Sequence, residues 1–100
     1  MNSKQVEELI HRRRRQILVH SIIYYKNGES IIPDSTFDAW AQQLAKLQKD
    51  HQQLSESIPY MRYAFSDFSG ESGFHLPLTD KAANRIADEL MRTYNERKEG

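Results

Sequence analysis

The chain has no cysteine in its 100 residues. Disulfides and thiolate-held metals are therefore excluded, and the composition fits a reducing compartment. No apolar stretch approaches the length of a membrane span. The N-terminus runs from polar to basic without the apolar core of a signal peptide. A cytoplasmic chain with no membrane association is expected. Net charge is lacking too, with 14 Lys and Arg against 14 Asp and Glu. That balance is unlike the basic profile of a dedicated nucleic-acid binder. There is no internal repeat and no low-complexity linker, and the length fits one domain.

Charge is present locally. Residues 1–26 hold six basic side chains against two acidic, and residues 27–80 hold three against eight. A basic end facing an acidic middle suits either an internal complement or a docking surface.

Periodicity predicts a mainly all-α fold. From Ser3, the expected N-cap, Val6, Leu9, Ile10, Ile17 and Tyr24 share one arc of a helical wheel, with Arg13 inside it. "ILVHSIIYY" is apolar almost all round and has strand-like residue types. Helix is preferred because nothing breaks the pattern before Asn27-Gly28, a natural C-cap. A second helix opens at Asp34 or Ser35, with Ser35 and Asp38 at capping-box spacing. It carries Phe37, Trp40, Ala41, Leu44 and Leu47 on one stripe and runs to about Gln53. Trp40 sits at stripe centre and reads as core. Residues 54–80 break both periods and form an aromatic-rich ordered loop, with a helical turn near Pro59 to Ala64 and positive-φ turns at Gly70 and Gly73. Thr79 or Asp80 caps a last helix over 81–96, striped by Ala83, Ile86, Ala87, Leu90 and Tyr94, and 97–100 should fray. The expected architecture is an antiparallel hairpin over 1–53 with the last helix packed across it.

The chemistry concentrates in "YYKNGESIIPDSTFDAW". A six-residue connection would put Tyr24 and Tyr25 on the last turn of one helix beside Asp34, Phe37 and Asp38 on the first turn of the next. Aromatic faces can sandwich a planar heterocycle. Carboxylates can accept hydrogen bonds from ribose hydroxyls or an amide, and can complement a pyridinium charge. The same residues also serve as helix cap, dipole complement and core, and periodicity alone favours that structural use.

The stretch "YYKNGESIIPDSTFDAWAQQLAKLQKDH" resembles the N-terminal helical (Ia) domain of NAD-dependent DNA ligases over roughly residues 10 to 51. That family has an aromatic pair, a short loop, then Pro/Ser-Asp-x-x-Tyr-Asp opening a helix. The resemblance implies a site for the nicotinamide mononucleotide (NMN) half of NAD. It maps the nucleotide contacts onto Tyr24, Tyr25, Asp34, Phe37 and Asp38. Phe37 departs from the family's tyrosine, losing a hydroxyl and keeping a ring. The family's catalytic Lys-x-Asp-Gly motif occurs nowhere in this sequence, so no catalytic activity is expected. The chain also resembles the short standalone ligase-related proteins of phages and prophages, which implies an accessory role. NMN or NAD is then the implied ligand, with no cofactor required.

Other surfaces keep further functions open. Arg12, Arg14 and Arg15 could face DNA phosphates or a protein partner. Arg13, on the apolar arc, could instead make a partly buried pair with an acid of the middle segment. Tyr60, Tyr63, Phe68 and Phe74 could complete the core or anchor a host or phage protein. On that reading the chain is an inhibitor or adaptor acting on a host defence enzyme of the CRISPR nuclease or NADase type. His11 and His20 are nine residues apart and no His-x-x-x-His occurs, so no metal site is expected. His75 is expected to bond the local backbone, and Ser66, Ser69 and Ser72 beside it to act as turn formers.

Overall fold

The structure, a computed structural model, describes residues 1–70 and 76–99. Four helices occur in the order α1 (Ser3–Asn27), α2 (Asp34–Asp50), α3 (Gln52–Ser57) and α4 (Lys81–Glu99). No strand occurs among the described residues, so the fold is all-α.

α1 begins with a capping box one residue earlier than expected. Asn2 Oδ1 accepts from the Gln5 N–H at 2.9 Å, and the Asn2 N–H donates to Gln5 Oε1 at 3.0 Å. The helix runs unbroken through "ILVHSIIYY", burying Ile17, Leu18, Val19, Ile22 and Ile23. It stops at Gly28, whose φ of 76° is left-handed and suits glycine. The Gly28 N–H donates to the Tyr24 carbonyl at 2.8 Å.

The chain then turns back through six residues into α2. Pro33, rather than Asp34 or Ser35, occupies the N-cap, and no side chain caps the helix. The Pro33 carbonyl accepts from Thr36 and Phe37, which leaves Asp34 as the first helical residue. The expected Ser35–Asp38 capping box does not form. α2 ends at Asp50, short of Gln53, because His51 leaves helical geometry at φ −130°.

Helix α1 is the centre of the molecule and packs against α2, α3 and α4. Among the described residues α4 does not reach α2, so the last helix lies along α1 alone rather than across the hairpin. Its cap is Asp80, whose Oδ2 accepts from the Ala83 N–H at 2.9 Å. Helix α4 extends to Glu99, past the expected end at 96. The core joins Ile10, Ile17, Leu18 and Ile23 of α1 to Leu44 of α2, Ala83 and Ala87 of α4, and Phe65. Phe65 comes from the turns that follow α3 and packs edge-on to Phe68 at 5.2 Å. Gly70 has the expected positive φ, 87°. Ser72, Gly73, Phe74 and His75, assigned roles above, lie outside the described residues.

Candidate functional site

The α1–α2 turn holds a cleft of about 290 Å³ lined by His20, Ser21, Tyr24, Tyr25, Ser30, Asp34 and Phe37. Helical spacing explains the α1 side: Ser21 lies three and four residues before the two tyrosines, so one face carries all three. On α2, Asp34 and Phe37 share the first turn by the same rule. Four of the five residues singled out for a ligand therefore converge. Asp38 lies one turn further along α2, exposed, and is not among the cleft's lining residues.

The tyrosines are unusually open for aromatic side chains, Tyr24 at 49% and Tyr25 at 42% exposure. Their rings meet edge to face, centroids 5.1 Å apart and planes at 86°. Such a pair offers a planar ligand one ring face and one ring edge, not a parallel slot. Asp34 is exposed at the rim. Ser30 is occupied locally, its Oγ donating to the Ile32 carbonyl at 2.8 Å. Tyrosine faces beside a carboxylate form an environment suited to a flat cation, through ring quadrupole and Coulomb attraction together. The volume is at the small end of ligand sites, which run to roughly 300–1,000 Å³. It has room for one nucleoside rather than a whole dinucleotide.

Two lining residues escaped the sequence reading. His20 Nδ1 and Ser21 Oγ are buried and have no hydrogen-bond partner among the described residues. The His20 ring leans on Trp40, centroids 5.5 Å apart. Burial pushes the His20 imidazole below its ordinary value. In the unfolded chain that ring titrates near about 6.5, so the unfolded state takes up its proton first on acidification. His20 thus contributes stability above about pH 6.5 that is lost as pH falls through its lower folded value. Urea unfolding midpoints should drop between pH 7.5 and 5, and His20→Gln should flatten that slope. An unchanged slope in the variant would remove His20 as the cause.

The arginine run divides in a way the sequence reading missed. Arg14, placed above among the surface cations, is 1% exposed. All five of its N–H donors are used: Nε on Gln48 Oε1, the other nitrogens on Ser55 O, Ser55 Oγ, Ile58 O and Tyr60 O. Two of those carbonyls belong to the C-terminal end of α3, so Arg14 caps that helix from α1. Among the described residues Arg13 finds no acid. It donates to Gln43 and Gln16 and sits 5.6 Å from the Trp40 ring centroid. Trp40 is correspondingly half-buried, at the margin of the core rather than in it. Arg12 and Arg15 remain exposed.

The remaining aromatics also divide. Tyr60 is half-buried, edge-on to His11 at 4.7 Å, and Phe68 packs on the core. Tyr63 is 79% exposed, with the Arg62 guanidinium 4.6 Å from its ring centroid. Larger hollows also occur. One, about 510 Å³, opens beside Arg14, whose donors are all engaged, and gathers rings and acids of its own, Tyr63 and Phe68 with Glu56 and Asp67, together with the cations Lys49 and Arg62. Another, about 700 Å³, is an open groove along charged side chains of α4. Two of about 410 Å³ each flank Lys49 and Asp50. Among the described residues no group of side chains could hold a metal ion, and no helix is long and apolar enough to cross a membrane.

A helical hairpin with an aromatic, acid-edged cleft at its turn sets the class: a small all-α module. Residues 3–58 match the family described as DNA ligase-like, N-terminal NAD+-binding domain, and the chain belongs to that family. The matched segment spans α1 to α3 and includes every residue lining the cleft. No curated protein and no solved structure matches the chain.

Proposed function

We propose that the chain binds a nicotinamide nucleotide, NMN or the NMN half of NAD, in the α1–α2 cleft, and does so as a non-catalytic accessory protein of phage or prophage type. The observation that carries this is the convergence of Tyr24, Tyr25, Asp34 and Phe37 around one cleft inside the family-matched segment. The nicotinamide ring of NMN is a planar pyridinium cation, which is the ligand type such a surround favours. The want of a Lys-x-Asp-Gly motif in the sequence supports a role without adenylate transfer.

Ligand that binds only the folded chain must stabilise it by mass action. At a hundredfold excess over Kd the gain is roughly 2.7 kcal/mol, an upward shift in melting midpoint on the order of 10 °C for a domain this size. Thermal melts with NMN and NAD should show it. An unmoved midpoint at millimolar ligand would reject nucleotide binding.

A second reading, a protein–protein inhibitor or adaptor of a host defence enzyme, draws on the solvent-exposed Tyr63 and its stacked Arg62. Exposed aromatic–arginine pairs are common anchors in interfaces. Direct DNA contact is the weakest alternative, since Arg14 is committed to the interior and leaves Arg12 and Arg15 alone of the three proposed cations.

A further inference from the structure

We infer that Ser21 and His20 form a polar floor to the cleft that selects a ligand bearing a neutral carboxamide over its carboxylate counterpart. The inference rests on the nicotinamide reading of the cleft and names which pyridine nucleotide it accepts. The supporting observation is independent of the family match. Both residues line the cleft, and both hold a buried polar atom with no partner. Ser21 as a whole is 2% exposed. Buried polar atoms are nearly always paired, so two orphans side by side in the chain at one cleft call for an explanation.

A primary carboxamide presents one acceptor and two donors on adjacent atoms. A hydroxyl can give or accept, and a neutral imidazole nitrogen does one or the other according to tautomer. One carboxamide therefore carries the donors and the acceptor that the two groups need, and a rotamer step of Ser21 about χ1 would turn its hydroxyl toward the cleft. A carboxylate offers acceptors only. It would also bring a negative charge into a desolvated floor that holds no fixed cation, with the Asp34 carboxylate at the rim. Nicotinic acid mononucleotide differs from NMN at that group alone, which makes the pair a direct probe.

The orphan hydroxyl also has a signature in the free protein. Removing a buried, unpaired polar group relieves its desolvation cost, and alanine is the better helix former. Ser21→Ala should therefore raise the melting midpoint by about 4 °C while weakening the amide ligand. Gain of stability with loss of recognition separates a binding group from a packing group.

The test is calorimetric titration of wild type and Ser21→Ala with NMN and with nicotinic acid mononucleotide. Wild type should prefer NMN by about tenfold or more, and Ser21→Ala should lose most of that preference through weaker NMN binding. Equal wild-type affinities for the two mononucleotides, or a preference unchanged in Ser21→Ala, would overturn the inference while leaving the cleft as the nucleotide site. If wild type binds neither, the nucleotide reading itself falls and the inference with it.

Discussion

Arg14→Ala is expected to cost about 3–5 kcal/mol of folding stability. The guanidinium joins α1 simultaneously to α2, through Gln48, and to the end of α3 and the turn beyond it, through Ser55, Ile58 and Tyr60. Gln48 passes the connection on, donating from Nε2 to the Phe65 carbonyl at 2.9 Å. Truncation would leave buried acceptors unpaired and open a void where the side chain lay. A domain of this size has about 5–15 kcal/mol in total, so the variant should lie near its unfolding threshold at 37 °C. Arg14→Lys should recover only part of the loss, since an ammonium has three donors and no planar fork. Arg12→Ala, on the exposed side of the same helix, should stay within about 0.5 kcal/mol. Urea titrations followed by circular dichroism would rank the three. Equal midpoints for Arg14→Ala and Arg12→Ala would refute the buried cap.

Asp34→Asn should reduce NMN affinity about 30-fold while leaving the melting midpoint of the free protein nearly unchanged. Asp34 makes no side-chain cap on α2 and sits exposed at the cleft rim, so little folding stability depends on it. On the proposed reading its charge serves the ligand instead. A hydrogen bond to a charged group is worth roughly 1.5–3 kcal/mol, and attraction to a pyridinium adds to that. The same reasoning sets an order among redox forms. Oxidised NAD carries the cationic ring and the reduced form does not, so wild type should bind the oxidised form more tightly. Asp34→Asn should narrow that difference. Calorimetric titrations of both proteins with both forms would check it, and identical oxidised-form affinities would remove Asp34 from the site.

The hairpin was legible because its punctuation is local. Asn27-Gly28 and Pro33-Asp34 bound the turn in sequence as they do in space, and the spacing within each helix end then fixes which side chains meet. Tyr24, Tyr25, Asp34 and Phe37 follow from that alone. Arg14 did not follow. Four successive arginines cover every direction of a helix, and the half-exposed Tyr24 and Leu9 drew the inferred buried arc toward Arg13. Yet Arg14 lies four residues after Ile10 and three and four before Ile17 and Leu18, all buried. That spacing marked it as interior. His20 and Ser21 were hidden inside a run read as apolar almost all round. Helix α3 has too few residues to declare itself, and its C-terminal carbonyls are satisfied from α1, a tertiary contact no local pattern encodes.

The most direct measurement is an NMR titration of the backbone amides with NMN, which reads both whether ligand binds and where. Nucleotide binding at the α1–α2 cleft predicts shifts concentrated at residues 20–25 and 30–37, saturating with one ligand per chain, and small changes around Tyr63 and along α4. No shift at millimolar NMN, or shifts centred away from Tyr24 and Asp34, would contradict it.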